Sequence, residues 1–229
     1  MLTTAINTLI FDLDNTLIDR NAAMRLAVQV LLKMWGYHEP ERQAALEDIM
    51  QYDNWGYTGR EEFCSWLLHK YGKGEARKKM TPPSLLTVLQ VMIAQKIKPD
   101  SSVQTVLRSL SAQFQLVLAT NGGSKIQRAK LEQAQLQSFF QPEAIFISGE
   151  MDCEKPDPKF FQKIIGNLQL NPGSTLVIGD HLIHDIQAAA ACGLRTCWVS
   201  HGRTGAEDML PNQFITNITE ISKWSKQLT

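Results

Sequence analysis

The chain has 229 residues, 44% of them hydrophobic, and balances 23 Lys and Arg against 23 Asp and Glu for a formal net charge of zero. A neutral chain has no long-range field to draw it to a nucleic-acid polymer or an acidic membrane, and this length suits one domain or a domain with an insert. Cys64, Cys153, Cys192 and Cys197 form no C-x-x-C or zinc-ligand spacing, and no basic run precedes an apolar signal region, so a reduced cytoplasmic protein is expected.

The first apolar run, Leu9–Phe11, leads straight into Asp12 and Asp14. Two carboxylates on one small loop repel each other and lose hydration beside a core, so a cation or a shared proton belongs with them. From Arg20 to about Ile97 the pattern is helical, with candidate helices at Asn21–Trp35, Pro40–Met50, Arg60–Tyr71 and Ser84–Lys96. About 78 helical residues between a first strand and the next helix read as an inserted domain. Within it, "YDNWGYTGREEF" sets Trp55, Tyr57 and Arg60 around two glycines. These three are candidates either for contact with a substrate's leaving group or for packing inside the insert.

Beyond the insert, helices and short apolar runs alternate. Asp100 caps a helix to about Ala112, and Leu116–Ala119 reads as a strand ending in Thr120, Asn121, Gly122 and Gly123. "SKIQ" at Ser124–Gln127 has the form of a capping box opening a helix to about Gln135. Ile145–Ile147 is a third strand. Asp157 and Pro158 open a helix carrying Phe160, Phe161, Ile164, Ile165 and Leu168. Leu176–Ile178 precedes "GDHLIHD" with Asp180 and Asp185, an alanine-rich stretch follows to Gly193, and Thr196–Val199 is a fifth strand. Ala188–Ala191 read as close helix–sheet packing. Strands alternating with helices predict an α/β fold with a doubly wound parallel sheet.

In such sheets ligands bind outside the carboxyl ends of the strands, where the insert would hang over them. Asp12, Asp14, Asp180 and Asp185 follow two strands at that edge. They suit a hard divalent cation, with Mg2+ the default for oxygen ligands. Thr120, with exposed N–H groups at the following helix start, suits a phosphate oxyanion, and Lys155 is a point charge able to reach it. Together they describe a phosphoryl-transfer site. His181 and His184 are spaced i, i+3, but carboxylates already satisfy a hard metal, so a supporting or solvated role is expected.

The segments "DLDNT", "ATNGG", "EKPDP" and "GDHLIHD", in this order, resemble motifs I to IV of the haloacid dehalogenase superfamily. The run "TNGGSKIQRAKLEQAQLQSFF" is similar to phosphatase members acting on nucleotides and on N-acylneuraminate 9-phosphate. The resemblance implies a Rossmann-like catalytic core at 1–18 and 98–229 and a C1-type helical cap at 19–97. It implies a Mg2+-dependent phosphomonoesterase for a small phosphorylated metabolite, either a nucleoside 5′-monophosphate or a sugar phosphate. Asp12 would be the nucleophile and Asp14 the general acid and base. The Asp12 and Asp180 carboxylates and the Asp14 carbonyl would bind Mg2+, and Asp185 would support Lys155 or a metal-bound water. Thr120 with the Asn121 and Gly122 backbone would hold phosphate oxygens. Relatives carry Gly where this chain has Asn15, and Ser, Asp or Thr where it has His181.

Other readings remain at this point. A sugar phosphomutase keeps both aspartates. A dehalogenase usually lacks an acid at the Asp14 position. A phospho-acceptor receiver domain is about half as long and has no helical insert, and a non-catalytic binding protein would have lost one of Asp12, Asp14, Lys155 or Asp180.

Overall fold

Strand β1 (Thr8–Phe11) is buried along its whole length in a computed structural model that describes residues 5–204 and 211–221. The chain divides into two compact units, residues 1–18 with 98–229 and residues 19–97.

The second unit is helical: α1 (Arg20–Met34), α2 (Glu41–Asp53), α3 (Arg60–Tyr71), α4 (Gly74–Lys79) and α5 (Pro82–Lys96). Asp19 caps α1 by accepting from the Ala22 N–H, and Thr81 with Ser84 forms a capping box on α5. α4 was not expected from the sequence, since six residues of "GEARKK" carry no apolar periodicity. Ala27, Leu31, Leu46, Ile49, Phe63, Leu67, Leu85 and Leu89 fill this unit's core. Its first and last α1–α2 residues meet as a buried ion pair, Arg20 with Asp53, the second bond being 3.0 Å.

The other unit continues with α6 (Ser101–Ser111), β2 (Gln115–Thr120), α7 (Ser124–Gln133), β3 (Ile145–Ile147), α8 (Pro158–Leu168) and β4 (Thr175–Gly179). A π-helical segment (Leu182–Gln187), α9 (Ala188–Ala190), β5 (Arg195–Val199) and β6 (Gln213–Ile215) follow. The six strands are all parallel, in the order β3-β2-β1-β4-β5-β6. The expected doubly wound sheet is therefore present, with β6 as an added edge strand. Three residues with two exposed side chains gave no strand signal. α8 and α9 cover one face, where Phe160, Phe161 and Ile164 pack with Ile10, Val117, Val177 and Ala189. Each such side chain contributes roughly 1.5–3 kcal/mol when fully buried.

Two local expectations fail. The helix at Ser124 has Gly123 as its N-cap and no side-chain cap, because the Ser124 hydroxyl donates to Glu150, 2.5 Å away. Of the four alanines expected to pack, Ala188 and Ala189 are buried while Ala190 and Ala191 are exposed, since only one stripe of so short a helix can face the sheet.

Candidate active site

Strand order reverses at β1: β2 and β3 lie to one side, and β4, β5 and β6 to the other. That is a topological switch point, the place at the carboxyl edge where open α/β sheets bind their ligands. The Asp12 N–H donates to the Ile178 carbonyl at 2.9 Å. This extends the β1–β4 ladder by one residue and holds Asp12 at the edge, almost wholly buried. The chain then turns through Asn15, whose φ of 59° is in the left-handed region, where an Asn or Gly is tolerated best. His201 Nε2 lies 2.5 Å from the Asn15 carbonyl and braces the turn.

Lys155 arrives from the loop before α8. Its Nζ donates to Asp12 Oδ1 at 2.8 Å, Asp185 Oδ1 at 2.6 Å and the Ala119 carbonyl at 2.9 Å. All three donor directions of the ammonium are used. Asn121 fixes the lysine's backbone. Its side-chain amide donates to the Lys155 carbonyl at 2.7 Å, and its Oδ1 accepts from the Lys155 N–H at 3.0 Å.

Asp180 follows β4, and Asp185 reaches back from the π-helical segment to accept from the His181 N–H at 3.0 Å. His181 Nδ1 in turn accepts from the N–H groups of Ile183 and His184, so it caps this segment, and its ring stacks on His184. Arg203, from the loop after β5, donates to the Asp180 carbonyl at 2.8 Å and to its Oδ2 at 3.2 Å. Trp198 Nε1 donates to the same carbonyl.

Asp12, Asp180 and Asp185 each offer an oxygen within 4.8 Å of the others. Burial pushes the Asp12 carboxyl up to about 7, with the Lys155 ammonium working against it and Asp185 adding to it. Burial, and then the Asp12 and Asp185 charges, push Asp180 well above the usual carboxylate value, while Arg203 partly offsets this. Burial alone would lower the Lys155 ammonium, but Asp12 and Asp185 outweigh it and hold the group above the usual lysine range. Burial, helped by His184, lowers His181 to about 3 and keeps it neutral. Three buried carboxylates brought together, two of them with raised proton affinity, are a hard oxygen set, and they fit a divalent cation such as Mg2+.

Thr120 ends β2 beside this cluster and is buried. The Gly122 N–H, expected to face a phosphate, donates to Ser148 Oγ at 3.0 Å and so serves the loop itself. Asp14 stands apart from the three-carboxylate group. Its two oxygens accept from Lys130 Nζ at 2.8 and 2.7 Å, and Oδ2 also accepts from Gln127 Nε2 at 3.1 Å. In the helical unit, Trp55, Tyr57 and Arg60 flank one tight turn. Asn54, Trp55 and Gly56 have φ of 45°, 59° and 85°, and Arg60 lies 3.5 Å from the buried Asp53.

Sequence reasoning passed over Gln127, Lys130, Arg203 and Ser148. Gln127 and Lys130 sit inside the "SKIQRAK" run, three residues apart on one helix face, a spacing equally at home on a solvated face. Arg203 lies beyond Thr196–Val199, the last strand expected from the sequence, and carries no motif.

The haloacid dehalogenase-like hydrolase family matches the chain over residues 9–199. N-acylneuraminate-9-phosphatase of Rattus norvegicus is 28% identical over 226 residues, spanning 92% of this chain and 90% of that protein. Pyrimidine 5′-nucleotidase PynA of Streptococcus pneumoniae is 30% identical over 214 residues, spanning 83% of this chain and 82% of that one. Among solved structures, HAD-hydrolase YfnB of Bacillus subtilis, bound to magnesium, superposes with a TM-score of 0.76. It is 24% identical and the match covers 96% of this chain and 98% of that one.

Proposed function

Because the chain belongs to the haloacid dehalogenase-like hydrolase family, we propose that it is a cytoplasmic, Mg2+-dependent phosphomonoesterase acting on a small phosphorylated metabolite. The observation that carries this reading is Asp12 at the sheet edge, 2.8 Å from the Lys155 ammonium and beside Asp180 and Asp185, with Asp14 two residues on.

A carboxylate oxygen of Asp12 attacks phosphorus, and the bond from phosphorus to the leaving oxygen breaks. Asp14, in its protonated form, gives that oxygen its proton. A water then attacks the aspartyl-phosphate, Asp14 takes the water's proton, and phosphate departs with Asp12 regenerated. Lys155 offsets charge on Asp12 and on the phosphoryl oxygens, and the Thr120 hydroxyl donates to one of them. Asp12, Asp180 and Asp185, with the Asp14 carbonyl, would hold the divalent cation, whose chemistry is charge stabilisation on the phosphoryl group.

We assign residues 19–97 the role of a cap that excludes water during the first step, with Trp55, Tyr57 and Arg60 as its leaving-group contacts. No described helix is long and apolar enough to cross a membrane. The relatives' names suggest N-acylneuraminate 9-phosphates and pyrimidine nucleoside 5′-monophosphates as the first compounds to try. The test is phosphate release from nucleoside monophosphates, sugar phosphates and small phospho-acids with Mg2+, run beside Asp12→Asn. Turnover of one class, abolished by EDTA and by the variant, supports the reading. Turnover that survives Asp12→Asn overturns it.

A further inference from the structure

Gln127 and Lys130 stand one turn apart on α7, and both turn inward onto the same carboxylate. Lys130 holds both Asp14 oxygens, and its side chain is only 9% exposed. Gln127 is 1% exposed, and its Nε2 reaches Asp14 Oδ2 at 3.1 Å and Thr120 Oγ1 at 2.6 Å. An ionised carboxylate accepts and does not donate, so Nε2 and not Oε1 faces Asp14. The second Nε2 hydrogen then goes to Thr120. The Thr120 hydroxyl therefore accepts from Gln127 and keeps its own hydrogen to give away. Among the described contacts that hydrogen has the Asn121 carbonyl at 3.5 Å, too far for a strong bond. A phosphoryl oxygen in front of Thr120 is the better acceptor.

Space for this arrangement comes from Gly122, where a Cβ would press within 3.1 Å of the Gln127 side-chain carbons. A buried ammonium is costly without an anion beside it, and the Asp14 carboxylate lies 2.7 Å from Lys130 Nζ. The loop of Asp14 contains the left-handed Asn15 and its side chain is a quarter exposed, at 25%, and Lys130 meets both of its oxygens while Gln127 meets one.

We propose that Gln127 and Lys130 are positioning residues that tie Asp14 and Thr120 into one hydrogen-bonded frame. The frame holds the Asp14 carboxyl where it exchanges a proton with the leaving oxygen, and it turns the Thr120 hydroxyl toward the phosphoryl group. The inference rests on the phosphatase reading above.

The test compares two substrates in single turnovers of the full chain with Mg2+. An alkyl phosphate needs a proton on its leaving oxygen, whereas p-nitrophenyl phosphate needs little help there. Lys130→Met is expected to slow transfer from the alkyl phosphate ~10²-fold, as a catalytic group displaced by about 1 Å does. First-turnover release of p-nitrophenolate is expected to change less than ~3-fold, with KM for both substrates equally little affected, because general acid catalysis is what is lost. Gln127→Leu carries the same comparison should Lys130→Met not fold, and it is expected to raise KM as well through Thr120. Equal slowing of both substrates, or no slowing of either, overturns the positioning role and leaves the phosphatase reading standing. A wild type without turnover, or an Asp12→Asn variant with wild-type turnover, overturns both.

Discussion

The Lys155 ammonium bridges Asp12 and Asp185, at 2.8 and 2.6 Å, across 143 and 30 residues of chain. Lys155→Met leaves both carboxylates buried without their shared cation. We expect kcat to fall ~10²–10³-fold, the usual cost of one charge-stabilising donor, and the metal-free protein to lose ~3 kcal/mol on denaturant unfolding. Lys155→Arg is not expected to rescue activity, because a planar fork does not replace a compact ammonium whose three donor directions are all used. Steady-state kinetics within tenfold of wild type would remove Lys155 from the mechanism.

Mg2+ should stabilise the protein more at pH 7.5 than at pH 5.5. Asp12 is raised from 3.8 to about 7, and Asp180 is raised as well. Between those values the folded, metal-free protein holds protons that the unfolded chain has lost. Its stability from these groups is therefore fully present below the ordinary carboxylate value and drains away as pH rises through about 7. A cation competing with those protons binds better as they leave. His181, lowered to about 3, acts in the opposite direction, but it is common to samples with and without Mg2+ and cancels in the difference. Thermal unfolding at fixed Mg2+ measures the gain, and Asp180→Asn should shrink it at both pH values. An equal or larger gain at pH 5.5 contradicts the assignment of these carboxylates as cation ligands.

Gly179 closes β4 where any Cβ would sit inside the Asp185 carboxylate. Asp185 is itself buried and pinned by Lys155 and the His181 N–H, so it cannot step aside without moving the lysine. Gly179→Ala should lower kcat ~10²-fold and stability by ~1–3 kcal/mol through overpacking. Gly166→Ala is the control. It sits on an exposed position of α8 with open space for a methyl group and should stabilise by roughly 0.5–1 kcal/mol. Equal effects from the two substitutions would show that Asp185 has room to move.

Asp12, Thr120 and Asp180 were legible because each ends or closely follows an apolar run, and Lys155 because it stands in the loop before a capped helix; parallel strands bring such positions to one edge whatever separates them in sequence. Gln127 and Lys130 were not, since a polar pair at i, i+3 on a helix looks like a solvated face. Their burial depends on where α7 lies against the loop after β1. The capping box at Ser124 failed for a similar reason. Glu150, brought alongside by β3, competes for the hydroxyl with a charge-assisted bond stronger than the local one. Arg20 read as the polar start of a helix, and its buried partner Asp53, 33 residues on, could not be paired with it before α1 and α2 were folded together.

That pair yields the last prediction. Asp53 is wholly buried and binds Arg20 through both oxygens, while the half-exposed Arg60 stands further off at 3.5 Å. Removing Arg60 should cost under ~1 kcal/mol, because an exposed partner is screened by water. Asp53→Ala strands a buried guanidinium between the first residue of α1 and the end of α2, and should destabilise the helical unit by ~3–5 kcal/mol. Replacing both members, as Arg20→Met with Asp53→Leu, removes the uncompensated charge and should recover most of that loss. Hydrogen exchange on α1 and α2 measures each change separately from the sheet unit. If the double substitution is as unstable as Asp53→Ala, the pair acts through packing or an additional contact and not through its buried charge.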